Sequence, residues 1–82
     1  MARAILRTSI NGPSPNNQQQ RLRMRLQNVG FARIGTGAYE GYFPSKREAI
    51  DALRVALDFL DAMPPRFDID HLWTYVDEDD AR

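Results

Sequence analysis

The chain has 82 residues and no cysteine, and its 11 basic residues balance 11 acidic ones, so the formal net charge is zero. The lack of cysteine excludes disulfides and thiolate metal centres, and a single histidine disfavours a His-based metal site or a Ser–His triad. Neutrality argues against a generally basic nucleic-acid-binding protein. A chain this short has a small core and often gains stability by oligomerising, so we expect a homodimer.

The distribution of charged and apolar residues along the chain bears on its surface charge and its cellular location. Most basic residues fall in the first half of the chain and most acidic ones in the second, which permits a basic patch on one surface. No apolar run approaches the roughly 18 residues that a membrane span needs, and the first ten residues are too polar for a signal sequence. We therefore expect no membrane association and a cytosolic location.

The first part of the chain predicts a strand followed by a helix. The alternation of residues 2–10 is typical of a half-buried strand, whose core face carries Ala4, Leu6, Thr8 and Ile10. Ser14 followed by Pro15 predicts an N-cap and a first helical position. Apolar residues at i, i+4 and i+7 predict a helix ending at Gly30, and they are Leu22, Leu26 and Val29. The solvent face of this helix is expected to carry Gln18, Arg21, Arg25 and Asn28.

The middle of the chain predicts a hairpin and a second helix. Residues 31–34 and 38–43 read as strands flanking Gly35-Thr36-Gly37, because glycine tolerates the positive φ of a tight turn. Ser45 and Glu48 form a capping box for a helix that runs to about Met63. This helix is expected to bury Ile50, Leu53, Ala56, Leu57 and Leu60. Its exposed face is expected to form two ion pairs four residues apart, Arg47 with Asp51 and Arg54 with Asp58.

The end of the chain predicts a last strand and an acidic tail. Pro64-Pro65 ends the second helix, and residues 69–76 alternate again. We expect a single domain over residues 1–76, followed by a frayed tail over residues 77–82.

The order strand, helix, strand, strand, helix, strand predicts an α+β domain of the ferredoxin-like βαββαβ class. In this fold two right-handed crossovers place both helices on one face of a four-stranded antiparallel sheet. The other face of the sheet must be exposed to solvent, covered by another subunit or used as a binding surface. The side chains expected on it are Arg7, His71, Trp73 and Tyr75, with Arg33 and Tyr42 beside them.

This mixture of arginine and aromatic residues supports two interpretations. Arginines interleaved with aromatics on an open sheet can neutralise phosphates and stack on bases. The same residue types anchor protein–protein interfaces, which the neutral net charge and small core favour for this face. Arg21 and Arg25, one turn apart on the first helix, add a second candidate phosphate contact. The residues predicted to contact nucleic acid or a protein partner are therefore Arg7, Arg21, Arg25, Arg33, Tyr42, Trp73 and Tyr75.

Two families share this order of elements. The segments AYEGYF and SKREAIDAL superficially resemble the third strand and second helix of an RNA-recognition motif, but the glycines and aromatics are out of step and the first strand has no aromatic. A closer resemblance rests on two segments, RLRMRLQNVGF and Tyr39-Glu40-Gly41. The first is similar to the first helix and its exit, and the second to the aromatic-Glu-Gly step, of the small CRISPR-associated and virulence-associated protein D-like group. The resemblance implies a ferredoxin-like homodimer that acts as a nucleic-acid platform or a metal-dependent nuclease.

One departure from that family bears on activity. Its nucleases hold a divalent metal with an aspartate at the end of the first strand, where this chain has Thr8-Ser9-Ile10-Asn11. Hydroxyls and an amide are poor substitutes for a carboxylate on a hard cation. We therefore expect a non-catalytic binding or scaffold protein without a metal or cofactor, with nucleic acid as the leading ligand class. A protein-interaction module that uses its sheet edge or aromatic face is the alternative, and a metal-dependent nuclease is the second alternative.

Overall fold

The computed structural model describes residues 1–78. Its elements are β1 (Ala2–Asn11), α1 (Pro15–Asn28), β2 (Phe31–Gly35), β3 (Ala38–Phe43), α2 (Lys46–Asp61) and β4 (Asp68–Glu78). The four strands form one antiparallel sheet in the order β2-β3-β1-β4. The predicted ferredoxin-like α+β fold is confirmed.

The core lies between the helices and one face of the sheet. Alternate residues of β1 are buried, as their period of two predicts, and Ala2, Ala4 and Leu6 are fully covered. In β3 the same alternation buries Tyr39 and Phe43. The helices complete the core, and its contributions from α1 and α2 are Leu22, Leu26, Ala49, Ala52, Leu53, Ala56 and Leu60.

The two helix starts differ in how they are capped. The Ser45 hydroxyl accepts a hydrogen bond from the Glu48 amide at 3.2 Å and donates one to the Glu48 carboxylate at 3.3 Å, so the predicted capping box is present. Ser14 precedes the predicted first helical residue, Pro15, but its side chain makes no capping hydrogen bond. The reason is its backbone: Ser14 lies in the left-handed region with φ 53°, whereas a capping residue is normally extended.

The buried faces of both helices differ from the prediction. Ile50 and Leu57 are exposed, because α2 turns its alanine stripe to the sheet. Ala49, Ala52 and Ala56 allow a close approach that the larger side chains would obstruct. On α1, Gln18 is buried rather than on the solvent face. The ion pairing on α2 also differs, since Arg54 contacts Asp51, three residues earlier, at 3.6 Å.

The hairpin and the last strand define the two edges of the sheet. Gly37 has φ 67° and its carbonyl accepts a hydrogen bond from the Thr8 amide at 2.9 Å, so the turn is held against β1. At the other edge, β4 extends two residues beyond the predicted end at Val76, because Asp77 and Glu78 continue the ladder opposite Arg3 and Ala2. The remainder of the predicted tail, residues 79–82, lies outside the described residues.

Candidate functional site

The sheet face away from the helices is the candidate interaction surface, called the open face below. Residues paired across antiparallel strands share a face, so Arg7 lies beside Trp73, Ile5 beside Tyr75, and Arg3 beside Asp77. On the other side of β1, Arg3 is paired with Tyr42 and Ile5 with Glu40. Arg7, Tyr42, Trp73 and Tyr75 therefore occupy the face on which they were predicted.

Two aromatic rings form the most prominent feature of the open face. Trp73 and Tyr75 are two residues apart on β4, and their rings stack with centroids 5.9 Å apart and planes 4° from parallel. Half of the Trp73 surface is exposed. The Arg3 guanidinium carbon lies 5.9 Å from the centre of the Tyr75 ring, within the range of a cation–π contact. The stack is thus a flat, accessible surface bordered by a positive charge.

Asp77 holds the end of this stack in place. Its carboxylate accepts hydrogen bonds from the Arg3 guanidinium and the Tyr75 hydroxyl, each at 3.0 Å. Burial opposes ionisation of Asp77, but the two hydrogen bonds and the positive charges of Arg3 and Lys46 together outweigh it and lower the pKa of the carboxyl. The positive charge of Arg3 is therefore partly neutralised. Arg7, in contrast, makes no ion pair with any of residues 1–78.

The prediction that Arg33 lies on the open face is wrong. Phe31 is buried and packs on Phe43 with ring centroids 5.4 Å apart. Arg33, two residues along β2, must share its side of the sheet and pairs with Tyr39. The open face of β2 is instead formed by residues such as Ala32, which pairs with Glu40.

Arg21 and Arg25 also lie away from the open face. Both are exposed on α1, in the helical layer, and the Arg25 guanidinium carbon is 5.8 Å from the centre of the Phe59 ring of α2. The seven predicted contact residues are therefore divided among three surfaces. Four are on the open face, two are on α1 near α2, and Arg33 lines a cleft between α1 and the hairpin.

The outer edge of β4 is the second candidate surface. Of the two edge strands, β4 is the longer at 11 residues, and every residue from Asp70 to Tyr75 is exposed. Leu72 faces the helical side opposite Thr8, yet 40% of its surface is accessible because the helices do not cover this part of the strand. Backbone N–H and C=O groups along such an edge can pair with another strand.

Groups with potential for catalysis are dispersed. His71 lies 3.5 Å from Asp70, and both side chains are exposed. Among residues 1–78 there is no cluster of three or more histidine, aspartate or glutamate side chains that could hold a metal ion. The described helices include none long and apolar enough to cross a membrane.

Sequence reasoning missed Arg3 and Asp77. They are 74 positions apart, and only the β1–β4 register brings them together. Strand alternation could have placed both residues on the open face, because Arg3 alternates in step with Arg7 and Asp77 alternates in step with Trp73 and Tyr75. The prediction that the last strand ends at Val76 left Asp77 out of the sheet.

Comparison with known proteins identifies no relative of this chain. Neither a protein-family model, nor a curated protein, nor a solved structure matches the chain. The resemblance to the CRISPR-associated and virulence-associated protein D-like group therefore stays a prediction.

Proposed function

We propose that this protein is an interaction module that pairs through the edge of β4, and that it forms a homodimer in this way. The observation that carries the proposal is the long exposed edge with large apolar side chains on both of its faces. Natural sheets usually protect such edges with charges, proline or a covering element. Here the central segment, residues 71–76, contains no carboxylate, lysine, arginine or proline.

A two-fold axis makes this edge complementary to itself. Residues paired across antiparallel strands lie on the same face of the sheet, and odd- and even-numbered residues of β4 lie on opposite faces. The open faces of the two copies therefore join into one surface only when odd-numbered residues pair with odd-numbered ones and even with even. With the axis at Thr74, Trp73 stands opposite Tyr75 of the second copy, and Leu72 opposite Val76. His71 then stands opposite Asp77. The register also places Asp70 opposite Glu78, whose charge is offset by the Met1 ammonium 2.9 Å away.

Replacing Trp73 tests the dimer. A central aromatic anchor is worth about 2 kcal/mol, and the symmetry counts it twice, so Trp73→Ala should cost about 4 kcal/mol. This corresponds to a nearly thousandfold rise in the dimer dissociation constant. The matched control is Tyr42→Ala, which removes an exposed aromatic from the same face two strands away from the edge. Sedimentation equilibrium measures both, and a wild-type monomer at high micromolar concentration contradicts the proposal.

A cysteine cross-link tests the register. The native chain has no cysteine, so a single introduced thiol gives an unambiguous product. At the axis, the two copies of residue 74 have Cα atoms about 4.5–5.5 Å apart, within the range that a disulfide spans. Thr74→Cys should therefore cross-link rapidly under mild oxidation, whereas Arg47→Cys, exposed on α2, should not. Equal rates for the two variants would exclude this register.

Single-stranded nucleic acid is a second candidate ligand, favoured by the parallel Trp73–Tyr75 stack beside Arg7. Edge pairing leaves this face uncovered, so the two functions are compatible. Binding of a labelled oligothymidylate should weaken in Arg7→Ala. The slope of the logarithm of the binding constant against the logarithm of salt concentration should fall in magnitude by about 0.7, the value for one single-strand phosphate contact. The Arg21→Ala/Arg25→Ala double variant serves as control because both residues lie off this face. Millimolar affinity at low salt, or binding insensitive to salt, would contradict this function.

A further inference from the structure

A polar cleft lies between α1 and the β2–β3 hairpin, on the helical side of the sheet and far from β4 in strand order. Its volume is about 270 Å³. Gln19 and Arg23 of α1 form one wall, and Arg33, Gly37 and Tyr39 of the hairpin form the other. It is independent of the proposed dimer edge, because none of its lining residues belongs to β1 or β4.

The cleft carries two uncompensated positive charges. Arg23 and Arg33 come from different elements, and neither makes an ion pair with residues 1–78. The described lining contains no carboxylate. Both arginines line this cleft, and both lie close enough to Tyr39 to act on it electrostatically. Two arginines that line one cleft are suited to oxyanions, which they bind through several N–H donors.

Tyr39 supplies a hydrogen-bond donor at this place. Only 2% of the residue's surface is exposed, and its hydroxyl makes no hydrogen bond within residues 1–78. The hydroxyl is not among the side-chain atoms that are buried without a partner, so it is open to solvent and free to donate to a ligand. Burial raises the pKa of Tyr39, against the opposing charges of Arg33 and Arg23, and the hydroxyl therefore keeps its proton at neutral pH.

Gln19 adds an acceptor. Its amide nitrogen donates to the Thr8 carbonyl at 3.4 Å, while its Oε1 is buried without a hydrogen-bond partner. The amide of the same Thr8 donates to the Gly37 carbonyl at 2.9 Å, so both walls are attached to one residue of β1. A matching ligand combines negative oxygens with one donor.

We propose that this cleft binds inorganic phosphate in its hydrogen phosphate form. The two negative charges of hydrogen phosphate match Arg23 and Arg33, its oxygens accept from the Tyr39 hydroxyl, and its remaining P–OH group donates to Gln19 Oε1. Sulfate has the same charge and shape but no proton to donate. A phosphate ester dianion also lacks the donor, so the site discriminates against both.

The first test is a titration of the full chain at low ionic strength and mildly alkaline pH, followed by ¹H–¹⁵N NMR shifts. With five non-hydrogen atoms, phosphate can reach about micromolar affinity at best, and we expect a dissociation constant between micromolar and millimolar. Sulfate and adenosine monophosphate should bind at least fivefold more weakly. Equal or tighter binding of either one overturns the assignment, as does the absence of shifts with phosphate at tens of millimolar.

Matched variants locate the site. Arg23→Gln and Arg33→Gln should each weaken phosphate binding about tenfold or more, whereas Arg21→Gln, the same change on the same helix outside the cleft, should leave it unchanged. An equal loss in Arg21→Gln means nonspecific attraction and overturns the site. Tyr39→Phe retains the buried ring and should weaken binding several-fold without lowering the thermal midpoint. Unchanged affinity in this folded variant also refutes the proposal.

Discussion

Replacing Gly37 by alanine should destabilise the protein at the tip of the hairpin. A Cβ atom at Gly37 would lie 2.4 Å from the Thr8 carbonyl oxygen, which is backbone and cannot rotate away. The residue also has φ 67°, where a side chain costs about 1–2 kcal/mol. Relieving the clash would break the hydrogen bond from the Thr8 amide to the Gly37 carbonyl, worth about 1 kcal/mol more. We expect the free energy of unfolding to fall by about 2–3 kcal/mol.

Urea denaturation at fixed protein concentration measures this loss. With a urea dependence of about 1 kcal/mol per molar, the midpoint should fall by about 2–3 M. Gly35→Ala is the matched control in the same turn, since its Cβ would meet only Ala38 Cβ at an ordinary 3.8 Å and its φ is not positive. A midpoint for Gly37→Ala within error of that for Gly35→Ala would refute the argument.

Two further predictions concern the helix caps and the Asp77 carboxylate. Ser45→Ala should lower the free energy of unfolding by about 1 kcal/mol, whereas Ser14→Ala should cost much less because the Ser14 side chain makes no capping hydrogen bond. Equal costs in denaturation would contradict the assignment of the caps. The lowered pKa of Asp77 implies stability that is complete above about pH 4, the ordinary aspartate value, and is lost as pH falls through the folded-state value. In thermal melts across acidic pH, Asp77→Asn should remove this component and Tyr75→Phe should reduce it, and an unchanged profile in Asp77→Asn would exclude the mechanism.

The candidate surfaces were only partly predictable from sequence. Parity placed Arg7, Trp73 and Tyr75 correctly, because alternation along a strand is a local property. The error at Arg33 was avoidable, since the buried Phe31 two residues earlier fixes its side of the sheet. Parity could also have placed Arg3 and Asp77 on the open face, but their contact with each other depends on which strands are neighbours and in what register.

The order of elements, the strand parity and the Ser45 cap follow from local sequence patterns, because each depends on residues a few positions apart. Which positions the core covers depends instead on how the elements pack against one another. The apolar residues of α2 occupy a wider stripe than the sheet contacts, so Ile50 and Leu57 remain outside while Ala49 and Ala56 are buried. The cleft likewise exists only after folding, when α1 and the hairpin meet over Thr8 and bring together Gln19, Arg33 and Tyr39. Contacts of this kind depend on the packing of elements distant in sequence, which no local pattern encodes.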